Sequence, residues 1–164
     1  MTLKELVIEQ LSSTHNQMGW FVPVNDALSD LTAGMALWQP GGESHSIWQI
    51  VNHLIFWNER WLTRFKGGKV PKMEGDNRAT FRPGRVEQDW KKTVEALDKI
   101  LTEWENTLKE KSEAELDTPV VEGEKDTWYS YLSSLSMHNA YHIGQIVTIR
   151  KLQGSWDPDM GVAT

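Results

Sequence analysis

The chain has 164 residues, nine tryptophans, no cysteine and a formal net charge of -6. That length suits one domain spanning residues 1–164 with its own core. The missing cysteine excludes disulfides and a thiol nucleophile, and leaves any metal to His, carboxylate or water ligands. The acidic balance speaks against a nucleic-acid partner, which needs a basic face to release phosphate counterions.

The first apolar pattern, Leu3, Leu6, Val7, Leu11 and Met18, predicts a helix over residues 3–18. Lys4, Glu5, Glu9 and Gln10 interrupt it. It therefore reads neither as a secretory leader nor as a membrane span, and the expected location is cytoplasmic. His15 lies beside the stripe, either packed there or contacting a site. After Gly19 and Pro23, a short helix is expected over residues 25–36 with Leu28, Leu31 and Met35 inward, ended by Trp38-Gln39-Pro40-Gly41-Gly42.

Ser44 or Ser46 can cap the next helix. Its stripe is Ile47, Ile50, Val51, Leu54, Trp57, Trp61, Leu62 and Phe65, ending before Gly67-Gly68. His53 stands at the margin of that stripe. Glu59 is the carboxylate close enough in sequence to substitute as a ligand. Residues 66–85 are rich in Gly and Pro and read as a loop long enough, at about 3.3 Å per residue, to cross a helical bundle. The helices on either side can then run parallel. The loop's basic excess fits a solvated crossover, or else an anion-binding flap.

Residues 86–111 carry an a/d seam of Trp90, Val94, Leu97, Leu101, Trp104 and Leu108, with Glu95/Lys99 and Glu105/Lys109 pairs outside and no chemistry expected. Residues 112–126 read as an acidic loop. The last helix spans residues 127–153 and stops at Gly154. Its inward face is Tyr131, Leu135, His138, His142, Gln145, Ile146 and Ile149. The tail, residues 155–164, shows no periodicity. The pattern is all-α, with four main helices.

His138 and His142 stack on one helical face inside an apolar stripe. Each buried ring nitrogen left unsatisfied costs about 1–3 kcal/mol. Packed histidines are one reading; a divalent metal that satisfies both rings is the other. With His53 as third ligand the set would be His53, His138 and His142, with open positions, suited to zinc, nickel or iron. Asn139 stands where an H-E-x-x-H motif has its general base, so that peptidase chemistry is disfavoured and the catalytic residues stay unknown. Neither a G-x-S-x-G elbow nor a phosphate-binding Gly motif occurs.

The segment Ser46-Ile47-Trp48-Gln49-Ile50-Val51-Asn52-His53-Leu54 with Trp57, together with His138-Asn139-Ala140-Tyr141-His142-Ile143-Gly144-Gln145 and Arg150, resembles the DinB-like superfamily, including its YfiT-like metal-dependent hydrolases. The resemblance implies a four-helix bundle of up-down-down-up topology with a long crossover between the second and third long helices. It also implies a homodimer, and a divalent metal on His53, His138 and His142. Gln145 matches a recurrent ending of the motif, without an assigned role. Relatives transfer low-molecular-weight thiols such as bacillithiol to electrophiles, or isomerise maleylpyruvate with mycothiol. The expected function is thus a metal-dependent thiol S-transferase or hydrolase with a small-molecule substrate. A non-catalytic, metal-containing stress-response or ligand-binding protein is the alternative.

Overall fold

The computed structural model describes residues 1–82 and 90–162. Pro83, Gly84 and Arg85 of the expected loop, the expected helix start at Val86, and the last two residues of the tail lie outside the described residues.

Helix α1 spans Leu3–His15 and opens with a capping box in which Thr2 and Glu5 satisfy each other's backbone N–H. It stops short of the expected end, and Met18 is exposed beyond it. The expected helix over residues 25–36 is two pieces, α2 (Val24–Ala27) and α3 (Ala33–Leu37). Asp30 breaks them apart with φ of 57°, a left-handed conformation that Asp tolerates, and Thr32 caps α3 by accepting from the Met35 N–H. Leu28 and Leu31 are buried as expected, whereas Met35 is exposed because the break turns it outward.

Helix α4 (Ile47–Phe65) starts at Ser46, which forms a capping box with Gln49, so Ser46 and not Ser44 is the cap. Helix α5 is described over Trp90–Glu110. Its seam residues Trp90, Leu97, Leu101, Trp104 and Leu108 are buried, and Val94 packs partly buried against the core. Outside, Glu105 meets Lys109 at 4.0 Å as expected, while Glu95 pairs with Lys91 at 3.8 Å. The acidic loop contains one further helical turn, α6 (Glu113–Leu116), capped by Ser112 and Glu115 and anchored by the buried Leu116. Helix α7 (Trp128–Leu152) ends at Gly154, whose φ of 74° suits only a residue without Cβ strain.

Helix α1 packs against α5 and α7, and α4 packs against the same two. Trp48 meets Trp90 at 5.1 Å near the starts of α4 and α5, and Phe65 meets Trp104 at 5.2 Å towards their ends. The described residues form no strand, only an isolated bridge between Pro119 and Thr127. None of the described helices is long and apolar enough to cross a membrane.

The apolar core is divided in two. One cluster gathers Trp48, Ile50, Leu54, Trp90, Leu101 and Ile146; the other gathers Leu11, Phe65, Trp104, Leu108, Trp128 and Leu135. Between them, along α4 and α7, sits a buried polar layer of His53, Asn58, Asn139 and His142. The functional question concerns that layer.

Candidate metal centre

His53 is buried by the broad apolar stripe of α4, and His142 by the equivalent stripe of α7; His138, one turn earlier on α7, is half-buried. Their nearest ligand-capable ring nitrogens all lie within 4.8 Å of one another. The tertiary fold thus brings together all three residues that the sequence singled out.

Hydrogen bonds orient two of the rings. The Thr80 hydroxyl donates to the Asn77 carbonyl at 2.6 Å, so its oxygen is left to accept from His53 Nδ1 at 2.5 Å. His142 Nδ1 faces the Gln145 amide oxygen at 2.7 Å, which also can only accept. Both rings therefore carry their hydrogen on Nδ1 and leave Nε2 with a bare lone pair. Such a partner on the far nitrogen is the usual way a protein fixes the tautomer of a metal-ligating histidine. Gln145 thereby acquires a role: it sets the ring of His142.

The three rings are also held neutral. Burial, with the nearby His142 and His138, pushes His53 down to about 3. Burial pushes His138 down to about 4, and burial lowers His142 as well. Neutral imidazole is the form that binds metal. His53 Nε2 approaches His138 Nε2 to 2.9 Å, a spacing that needs a shared proton or a cation to offset lone-pair repulsion. His138 Nδ1 is buried without a hydrogen-bond partner among the described residues. These donors fit a divalent metal ion, and His53, His138 and His142 could hold one.

The loop after α4 closes over this layer, against the expectation of a purely solvated crossover. A 3-10 turn at Asn77–Thr80, capped by Asp76, buries Thr80 beside His53. Phe81 then stacks on His53 at 3.9 Å and on His45 at 4.0 Å. Sequence reading missed Thr80, Phe81 and His45; the only local signal was Asp76, two residues before the Arg78 N–H that it caps. Of the loop's basic residues, Arg78 is paired with Asp76 and Lys66 with Glu103.

Glu59 is not part of the centre. It is exposed on another face of α4, in a groove with Leu62, Thr63, Lys66 and Lys99, because at about 3.6 residues per turn it lies about a third of a turn or more around the helix from His53 and Trp57. Asn139, at the position of the absent general base, is buried and bonded to Asn58 through both amides, at 2.9 and 3.2 Å. Asn58 also donates to the Leu54 carbonyl at 2.8 Å and accepts from the Trp104 indole at 3.1 Å. This pair joins α4 to α7 and does no proton chemistry. His15 is buried far along α1 between two carboxylates of α5, away from the three histidines, so α5 does carry a polar function that its seam did not suggest.

Two clefts flank the centre. One, of about 350 Å³, is lined by Trp57, Trp61, Tyr131 and Leu135 and reaches His138. The other, of about 590 Å³, is lined by Glu43, His45, Tyr141 and Gln145 among others.

No curated protein matches the chain. A family model described as the DinB superfamily matches residues 24–146, about three quarters of the 164 residues. The match runs from α2 through His53, His138 and His142. With its all-helical fold and its convergent histidines, the chain belongs to the DinB superfamily.

Proposed function

We propose that the protein is a metal-dependent enzyme of the thiol S-transferase or hydrolase type, with a small-molecule substrate and its metal on His53, His138 and His142. One observation carries this reading: neutral imidazoles converge, and Thr80 and Gln145 hold the far nitrogens of His53 and His142 so that their Nε2 atoms carry no hydrogen of their own. When bound, a divalent ion supplies Lewis acidity that favours the ionised form of a thiol or water. The chain's own residues then orient and exclude water. Phe81 covers one face of His53, and Asn58 with Asn139 locks the two ligand-bearing helices in register.

A single domain with up-down-down-up helix order and a long crossover accompanies this proposal. It is supported by the Trp48–Trp90 and Phe65–Trp104 contacts, which pair like ends of α4 and α5. A cytoplasmic homodimer completes the proposal.

Elemental analysis of purified protein is expected to find about one divalent ion per chain, falling sharply in His53→Ala, His138→Ala and His142→Ala. Unchanged metal in all three variants would refute the site. A panel of low-molecular-weight thiols with monochlorobimane then tests the transferase reading. Metal retained but no protein-dependent turnover across that panel, or with hydrolysable esters and amides, would leave a metal-containing binding protein.

A further inference from the structure

The two ligand-bearing helices continue beyond the histidines as a pair of aromatic faces. On α4, Trp57 and Trp61 follow His53 at successive intervals of four residues; on α7, Leu135 and Tyr131 precede His138 by three and seven. Both spacings keep the side chains on the face that carries the histidines. The helices pass each other so that His53 meets His138 and Trp61 meets Tyr131, the latter edge to face at 4.7 Å. Between these faces lies the cleft of about 350 Å³ that ends at His138.

We propose that this cleft binds a flat, uncharged aromatic or conjugated group of the substrate and presents the reacting end to His138. The reacting end rests on the metal-enzyme reading above; the preference of the cleft does not. Its lining carries no Lys, Arg, Asp or Glu side chain. The indole N–H of Trp57 is already given to the Asn77 amide oxygen at 3.1 Å, so Trp57 offers the cleft its ring face. The Arg64 guanidinium lies over Trp61, 5.1 Å from the ring centroid, outside the lining, and steadies that wall. An anion entering here would lose its water without meeting a cationic side chain in the lining. A planar ring gains offset or edge contacts with Trp57, Trp61 and Tyr131. The volume is at the small end for ligand pockets, enough for a group of about one or two fused rings. The larger cleft on the other side includes the Glu43 carboxylate, a charged group that this one lacks.

The test is calorimetric titration of chelator-treated protein with 2-naphthol and with naphthalene-2-sulfonate, which share a ring system and differ in charge. Saturable binding of 2-naphthol at least about tenfold tighter than the sulfonate is expected. Ser134 is exposed and lines the cleft, so Ser134→Trp fills it without removing a core contact and is expected to weaken 2-naphthol about fivefold or more. Tyr131→Ala is expected to act in the same direction. Equal affinity for the two probes, no binding of 2-naphthol, or 2-naphthol binding unchanged by a folded Ser134→Trp would overturn the proposal. Metal content is measured on the same preparations before chelation. Naphthol binding as expected without metal would sink only the metal reading, whereas metal retained without the naphthol preference would sink only the cleft.

Discussion

His53 and His15 are equally buried, each with 1% of its surface exposed, and both bridge long helices. At the seam of α1 and α5, His15 gives one nitrogen to Asp98 at 2.8 Å and the other to Glu105 at 2.9 Å. Asn25 donates a further bond to Asp98 at 2.9 Å. Every polar atom of that ring is used, and the cluster is a clamp. At the seam of α4 and α7, His53 gives only Nδ1 to an acceptor and turns Nε2 toward other imidazoles. Burial therefore does not distinguish a clamping histidine from a candidate ligand; what the second nitrogen faces does.

The sharpest way to break this comparison is His15→Ala. It leaves the mostly buried Glu105 carboxylate with only the distant Lys109 ammonium and is expected to cost about 3 kcal/mol, read as a shift in urea midpoint, while metal content stays unchanged. Metal loss without destabilisation would reverse the assignment of the two seams. Next in size, Thr80→Val and Gln145→Leu remove the acceptors behind His53 and His142. Each is expected to weaken metal affinity by about tenfold or more, seen in competition with a chromophoric chelator, with a smaller effect on folding. Asn58→Ala leaves Asn139 buried and unpaired and is expected to cost about 2 kcal/mol in denaturant unfolding.

Acid should separate the seams more gently. The folded values of His53 and His138, about 3 and about 4, lie below the ordinary 6.5. Below pH 6.5 the unfolded chain takes up protons that the folded chain refuses. Stability of metal-free protein is thus full above about 6.5 and falls as pH drops through that window, levelling off near the folded values. Asp98 is held below its usual 3.8 by the His15 hydrogen bond and then by Asn25. Its contribution is present above about 3.8 and is lost only as pH falls further. Melting temperatures of the chelated protein between pH 8 and pH 3 should therefore begin to decline below about 6.5 and fall more steeply below about 3.8, and His15→Ala should remove only that steepening. A single decline beginning near pH 4 would contradict the neutral triad.

Much of this molecule was legible because helices announce themselves locally. The α5 seam of Trp90, Leu97, Leu101, Trp104 and Leu108, the Ser46 cap and the Gly154 stop are short-range signals, and each appears where its residues predict. His138 and His142 were readable as a pair because one turn of helix separates them. His53 was readable as a third candidate because it borders an apolar stripe on another helix. Length, charge and the missing cysteine limited the donors to nitrogen and oxygen before any fold was considered.

Tertiary structure decided everything that depends on partners distant in sequence. Thr80 lies 27 residues from His53, in a loop whose composition reads as a solvated crossover or an anion-binding flap, yet it fixes the tautomer. His15 and its carboxylates lie 83 and 90 residues apart, so no periodicity could reveal that the ring is a clamp. Spacing along one helix determines which side chains share a face. Which atoms those faces meet is determined by packing, and the second nitrogen of each histidine took its role from that.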